Sequence, residues 1–123
     1  MRARPYLCLA ALLIAPACGG GGSNHAGNTA PVAGATLINV KAHTFGFDPK
    51  EITVKGGQDA TIALKSTDIE HDFTVDDLHI HVHTNPGQTT QGGIKPDKPG
   101  RYEFYCSIPG HKGSGMVGTL VVE

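Results

Sequence analysis

Tyr102-Glu103-Phe104-Tyr105-Cys106-Ser107-Ile108-Pro109-Gly110-His111-Lys112-Gly113-Ser114-Gly115-Met116-Val117-Gly118-Thr119-Leu120-Val121-Val122 holds two strand-like runs and the turn that joins them. In the first run Tyr102, Phe104 and Cys106 share one parity, so the cysteine continues a core-facing row. In the turn a thiol, an imidazole and a thioether stand at positions 106, 111 and 116, with four residues between each consecutive pair. A turn can fold such side chains toward one point. Joined by one more imidazole, they make up the two-histidine, one-cysteine, weak-methionine donor set that softness and geometry assign to copper. Thiolate and thioether suit Cu(I), and imidazole suits both oxidation states. Pro109 fixes one φ angle of the loop. Gly110, Gly113 and Gly115 allow tight backbone paths between the donors.

The rest of the chain agrees with a single β domain. With 123 residues there is room for one domain. The 17 Gly and 8 Pro point to many turns, as in an all-β chain. Thr36 to Thr44, Ile52-Thr53-Val54, Ala60 to Lys65, His71 to Val75, Leu78 to Val82 and Thr89 to Ile94 read as further strands. Phe45-Gly46-Phe47-Asp48-Pro49 reads as a turn or irregular edge, and Asp68-Ile69-Glu70 as a connecting loop. No segment has helical periodicity. Seven to eight short strands at this spacing suggest a two-sheet sandwich.

The N-terminus reads as an export signal, residues 1–17. Arg2 and Arg4 precede an apolar run, Tyr6 to Ala15, that is much shorter than the roughly 20 residues needed to span a bilayer. Ala15-Pro16-Ala17-Cys18 is followed by Gly19-Gly20-Gly21-Gly22-Ser23-Asn24. A small residue before a cysteine and a glycine-serine tether after it resemble the lipobox of bacterial lipoproteins, although Ala15 and Pro16 depart from its usual pattern. That resemblance makes Cys18 a lipid attachment point, residues 18–35 a flexible linker and 36–123 the folded domain. Of 3 cysteines, Cys8 falls in the leader and Cys18 at the anchor, which leaves Cys106 alone in the folded part, without a disulfide partner. With Arg2 and Arg4 removed, 8 Lys and Arg face 11 Asp and Glu, a mildly acidic balance that argues against a nucleic-acid partner.

The domain resembles the cupredoxins of the plastocyanin and azurin group. The likeness is carried by Pro99-Gly100-Arg101-Tyr102-Glu103-Phe104-Tyr105-Cys106 through Met116-Val117-Gly118-Thr119-Leu120, by His71-Asp72-Phe73, and by Phe45-Gly46-Phe47-Asp48-Pro49 with Ile52-Thr53-Val54-Lys55-Gly56-Gly57. It implies a Greek-key β-sandwich with one copper ion at one end. The equal gaps in the loop are closer to the auracyanin- and rusticyanin-like loops than to the shorter plastocyanin one. Seven histidines compete for the upstream ligand. The family's His-Asn-Phe or His-Asp-Phe pattern selects His71, with His79, His81 and His83 as the competitors. The implied ligand set is His71, Cys106, His111 and Met116. The family geometry also aims the Asp72 backbone N–H at the Cys106 sulfur, and Asp72 is a candidate partner for Ser107.

His79, His81 and His83 alternate with Leu78, Ile80 and Val82, so period two sets them on the face opposite the aliphatics. Imidazoles at i and i+2 can chelate a divalent metal, but a solvent-facing strand that merely uses histidine is the plainer expectation. By the resemblance the chain is an exported, monomeric one-electron carrier. The apolar loop beside His111, with Ile108, Pro109, Gly110 and Gly115, would dock redox partner proteins. Extracytoplasmic copper binding or trafficking is the alternative. An enzyme is not expected. A multicopper oxidase needs more copper domains, and the binuclear centre of an oxidase subunit needs a second loop cysteine where Gly110 stands.

Overall fold

The computed structural model describes residues 30–123. The expected leader, Cys18 and the tether as far as residue 29 lie outside the described residues. Nine strands follow in the described part: β1 (Thr36–His43), β2 (Gly46–Asp48), β3 (Glu51–Val54), β4 (Ala60–Ser66), β5 (His71–Val75), β6 (Ile80–Thr84), β7 (Thr89–Ile94), β8 (Gly100–Tyr105) and β9 (Val117–Val122). One sheet has the order β2-β1-β4-β7 and the other β3-β9-β8-β5-β6. Pairing is antiparallel except for β1 with β4 and β3 with β9. The chain crosses from one sheet to the other repeatedly, which makes the expected all-β, cupredoxin-like sandwich.

The strand beyond the expected number is β2. Gly46-Phe47-Asp48 pairs with Lys41 to His43 of β1. Phe47 then points inward and is buried. Between the sheets Phe47, Phe73 and Phe104 form one aromatic cluster. Phe73 stacks on Phe104 at 4.5 Å between centroids, and Phe47 meets both rings edge-on at 6.3 and 5.1 Å. Such arrangements are favourable beyond the area they bury. Val40, Ile62, Leu64, Val82 and Leu120 close around the rings. Gly118 lies opposite Phe104 in the β8–β9 ladder and leaves room for its ring. A Cβ there would stand 2.2 Å from Phe104 Cζ and 2.7 Å from the Lys50 carbonyl oxygen.

The strand expected at Leu78 to Val82 starts later. Asp76–Leu78 forms a 3₁₀ turn, and His79 closes it in the left-handed region at φ 53. His79 is therefore off the ladder and exposed, while His81 and His83 alternate with the buried Ile80, Val82 and Thr84 of β6. The three-histidine row expected on one face is a two-histidine row.

Candidate metal centre

Strand β5 begins at His71, and β8 ends one residue before Cys106. Their shared inward parity carries both side chains to the same end of the sandwich, just beyond Phe73 and Phe104. The loop that follows folds back on itself. The N–H of His111 donates to the Ile108 carbonyl at 3.0 Å, that of Met116 to the His111 carbonyl at 3.2 Å, and that of Cys106 to the Met116 carbonyl at 3.2 Å. The turn Lys112–Ser114 closes on Gly115, whose φ of 96 a residue with a side chain rarely adopts. These bonds tie the three spaced residues of the loop to one another.

The donor atoms of His71, Cys106 and His111 lie within 4.8 Å of one another. Cys106 Sγ is 3.9 Å from His71 Nδ1 and 3.4 Å from His111 Nδ1. The two imidazole centroids are 5.2 Å apart. His71, Cys106 and Met116 are fully buried, and His111 keeps 7% of its surface exposed. Met116 thus lines the same closed end, joined to Cys106 and His111 through its backbone. Of the seven histidines, the structure brings His71 and His111 to Cys106. His79, His81 and His83 lie away from this group.

Residues outside the donor set hold it in place. Asp68 Oδ1 lies 2.6 Å from His71 Nε2. Burial raises the Asp68 pKa, but hydrogen bonds from the Thr44 hydroxyl, from His71 and from the N–H groups of Ile69 and Thr44 outweigh it. Together they hold the carboxyl well below the usual carboxylate range. An ionised carboxylate only accepts, so Nε2 carries the proton and Nδ1 turns its lone pair toward Cys106. The Asp72 N–H donates to Cys106 Sγ at 3.4 Å, as the family geometry implies. The Asp72 carboxylate accepts the Ser107 N–H at 2.6 Å, the Ser107 hydroxyl and the Thr74 hydroxyl at 3.0 Å. The expected Asp72–Ser107 partnership is therefore present. Burial pushes the Cys106 thiol up, and hydrogen bonds from Asp72 and Ile108 pull it only part of the way back. A thiolate here needs a neighbouring positive charge.

Two contributors escape a sequence reading. Asp68 falls in what reads as a connecting loop, yet it joins the β1–β2 turn, through Thr44, to His71. Phe45 falls in the irregular edge and meets His111 edge-on at 5.4 Å while remaining 45% exposed. Thr44 and Asp68 are 24 positions apart, and Phe45 is further still from His111, so no local pattern marks these contacts.

The donor set tests well against copper. One buried thiol and two imidazole nitrogens converge, and the buried Met116 is tied through its backbone to Cys106 and His111; this soft and intermediate mixture fits a single copper ion. Residues 9–122 match the cupredoxin-like domain family. The copper-resistant cuproprotein CopI of Rubrivivax gelatinosus is 32% identical, over 95% of this chain and 94% of its own. Cytochrome c oxidase subunit 2 of Thermus thermophilus is 32% identical over 70% of this chain, but the match spans only 64% of the oxidase subunit, and 52% in a second sequence from that species. Among solved structures, auracyanin from Roseiflexus castenholzii superposes with a TM-score of 0.63 at 23% identity, covering 72% of this chain and 98% of that one. The chain belongs to the cupredoxin-like domain family.

Proposed function

We propose that the chain is a one-electron carrier in which His71 and His111 would hold copper through Nδ1, Cys106 through its thiolate and Met116 as a weak fourth donor. The observation that carries this reading is the convergence of three donor atoms within 4.8 Å at a buried end of the sandwich. Copper, when bound, supplies a one-electron couple between Cu(I) and Cu(II). The residues supply a site that need not rearrange. Asp68 fixes the tautomer and tilt of His71. The Asp72 N–H donates to the sulfur and draws charge from it. Phe73 and Phe104 lock the strands two residues behind the donors. His111, which keeps 7% of its surface exposed and meets Phe45 edge-on, is the electron's exit. Ile108, Pro109 and Gly110 with Phe45 form the apolar surface where redox partner proteins dock in weak, brief encounters. Among the described residues Cys106 is the single cysteine, which favours one copper over a bridged pair. We read the chain as exported and tethered by lipid at Cys18. Cys18→Ala is expected to move the protein from membrane to soluble fractions, and continued membrane association would contradict the anchor.

The test is optical and magnetic. The copper-loaded chain is expected to have an intense visible thiolate-to-copper band, the narrow EPR hyperfine splitting of a blue site and a reversible potential. Cys106→Ser is expected to eliminate the band, and a variant that stays blue would overturn the assignment. Copper delivery is the second reading, favoured by the likeness to CopI across nearly the whole of both chains. Rapid loss of copper to a chelator, with no reversible potential, would select it.

A further inference from the structure

We propose that His81 and His83, backed by Asp72 and Glu70, form a second site on the outer face of the five-stranded sheet, one that takes a divalent transition-metal ion such as zinc. This site uses none of the copper donor atoms, although Asp72 supports both ends. It starts from the alternation of β6. Ile80, Val82 and Thr84 point into the core, so His81 and His83 share the opposite face, with side chains 44% and 38% exposed. Two residues on a strand are roughly 6.6 Å apart, within reach of two imidazole arms turning toward one ion. His79 is not a third member, because its left-handed backbone breaks the row.

The neighbouring strand adds what a merely polar surface does not need. Each imidazole faces its own carboxylate. His81 Nε2 lies 3.3 Å from Asp72 Oδ2, and His83 Nε2 lies 3.3 Å from Glu70 Oε2. The β5–β6 register sets Asp72 opposite His83 and Thr74 opposite His81, so both carboxylates flank the pair. A histidine ligand commonly gives its second ring N–H to a carboxylate, which fixes the ring and makes the ligating nitrogen more basic. Two imidazoles so arranged, with water completing the coordination, suit zinc, copper(II) or nickel(II). The carboxylates also offset the ion's charge. Asp72 is buried and engaged by Ser107 and Thr74, so it is a fixed support, whereas Glu70 is exposed and able to follow the ion.

Zinc chloride titrated by calorimetry into the copper-loaded full chain tests this site. With copper in place, one zinc per chain is expected. His81→Gln with His83→Gln is expected to remove that binding. Glu70→Gln is expected to weaken it by about tenfold or more. In the reduced, diamagnetic protein the ring NMR signals of His81 and His83 are expected to move together, saturating at one equivalent. Absence of zinc binding would overturn the proposal. So would unchanged stoichiometry and affinity in the double variant, which would place the zinc at another histidine such as His25, His43 or His79. Circular dichroism of each variant separates lost binding from lost fold. A folded Glu70→Gln protein with wild-type zinc affinity would remove that carboxylate from the site.

Discussion

Phe73 stacks on Phe104, and two residues further along the same two strands His71 faces Cys106. The two pairs share parity, strands and register, yet they are held differently. The phenyl pair is held by packing from every side and makes no directional bond. The donor pair is held by directional bonds from residues outside the metal site: Asp68 on the imidazole, the Asp72 N–H on the sulfur. The β5–β8 ladder sets the spacing of the two strands, and both pairs inherit it on the same inward face. Stability therefore resides chiefly in the rings, and metal chemistry in the polar contacts one step beyond them.

The sharpest way to break this comparison is to remove a ring. Phe104→Ala is expected to destabilise the metal-free domain by about 3–5 kcal/mol, the usual cost of deleting a buried phenyl group. Urea unfolding of the apoprotein measures it. A loss below about 1 kcal/mol would mean that the aromatic cluster does not carry the fold. Gly118→Ala attacks the same ring from across the ladder. The new methyl group meets Phe104 at one side and the Lys50 backbone at the other. Overpacking of this kind costs about 1–3 kcal/mol. In a domain of this size that lowers the thermal midpoint by about 4–8 °C per kcal/mol. An unchanged midpoint would show that β9 has room to shift away from β8.

The same contrast explains what could be read from the sequence. The loop from Cys106 to Met116 was legible because three donor types fall within one turn between two alternating runs, and its backbone bonds are short in sequence. His71 was reached through its family pattern rather than its own surroundings. The sandwich was legible from strand alternation and turn residues. β2 was not, because three residues ending before Pro49 give too little alternation to separate a strand from a turn. His79 was assigned to the histidine row because the letters alternate through it, while the 3₁₀ turn at Asp76-Asp77-Leu78 spends those residues before the ladder begins. Asp68 and Phe45 were hidden for another reason. Their partners lie on other elements, and only the folded register brings Thr44 to Asp68 or Phe45 to His111.

Asp68 offers the finest probe of the comparison, since it alters the polar support without touching a ring or a donor atom. Asp68→Asn keeps the volume but replaces one acceptor oxygen with an NH₂ group. In the native site the carboxylate accepts from His71 Nε2, from the Thr44 hydroxyl and from the N–H groups of Thr44 and Ile69. An amide cannot satisfy all of them, and a donor must face a donor somewhere. If the NH₂ group faces His71, the imidazole proton moves to Nδ1, the nitrogen that points at Cys106, and the ring no longer presents its lone pair there. Loss of such a support weakens metal binding by about tenfold, or about 1.4 kcal/mol. Competition with a copper chelator measures it, alongside urea unfolding of the apoprotein as a gauge of general damage. Weakened copper binding with little change in unfolding would separate orientation from stability at this end of the sandwich. Unchanged copper affinity would mean that burial alone holds His71, and that the metal end is packed in the same manner as the rings behind it.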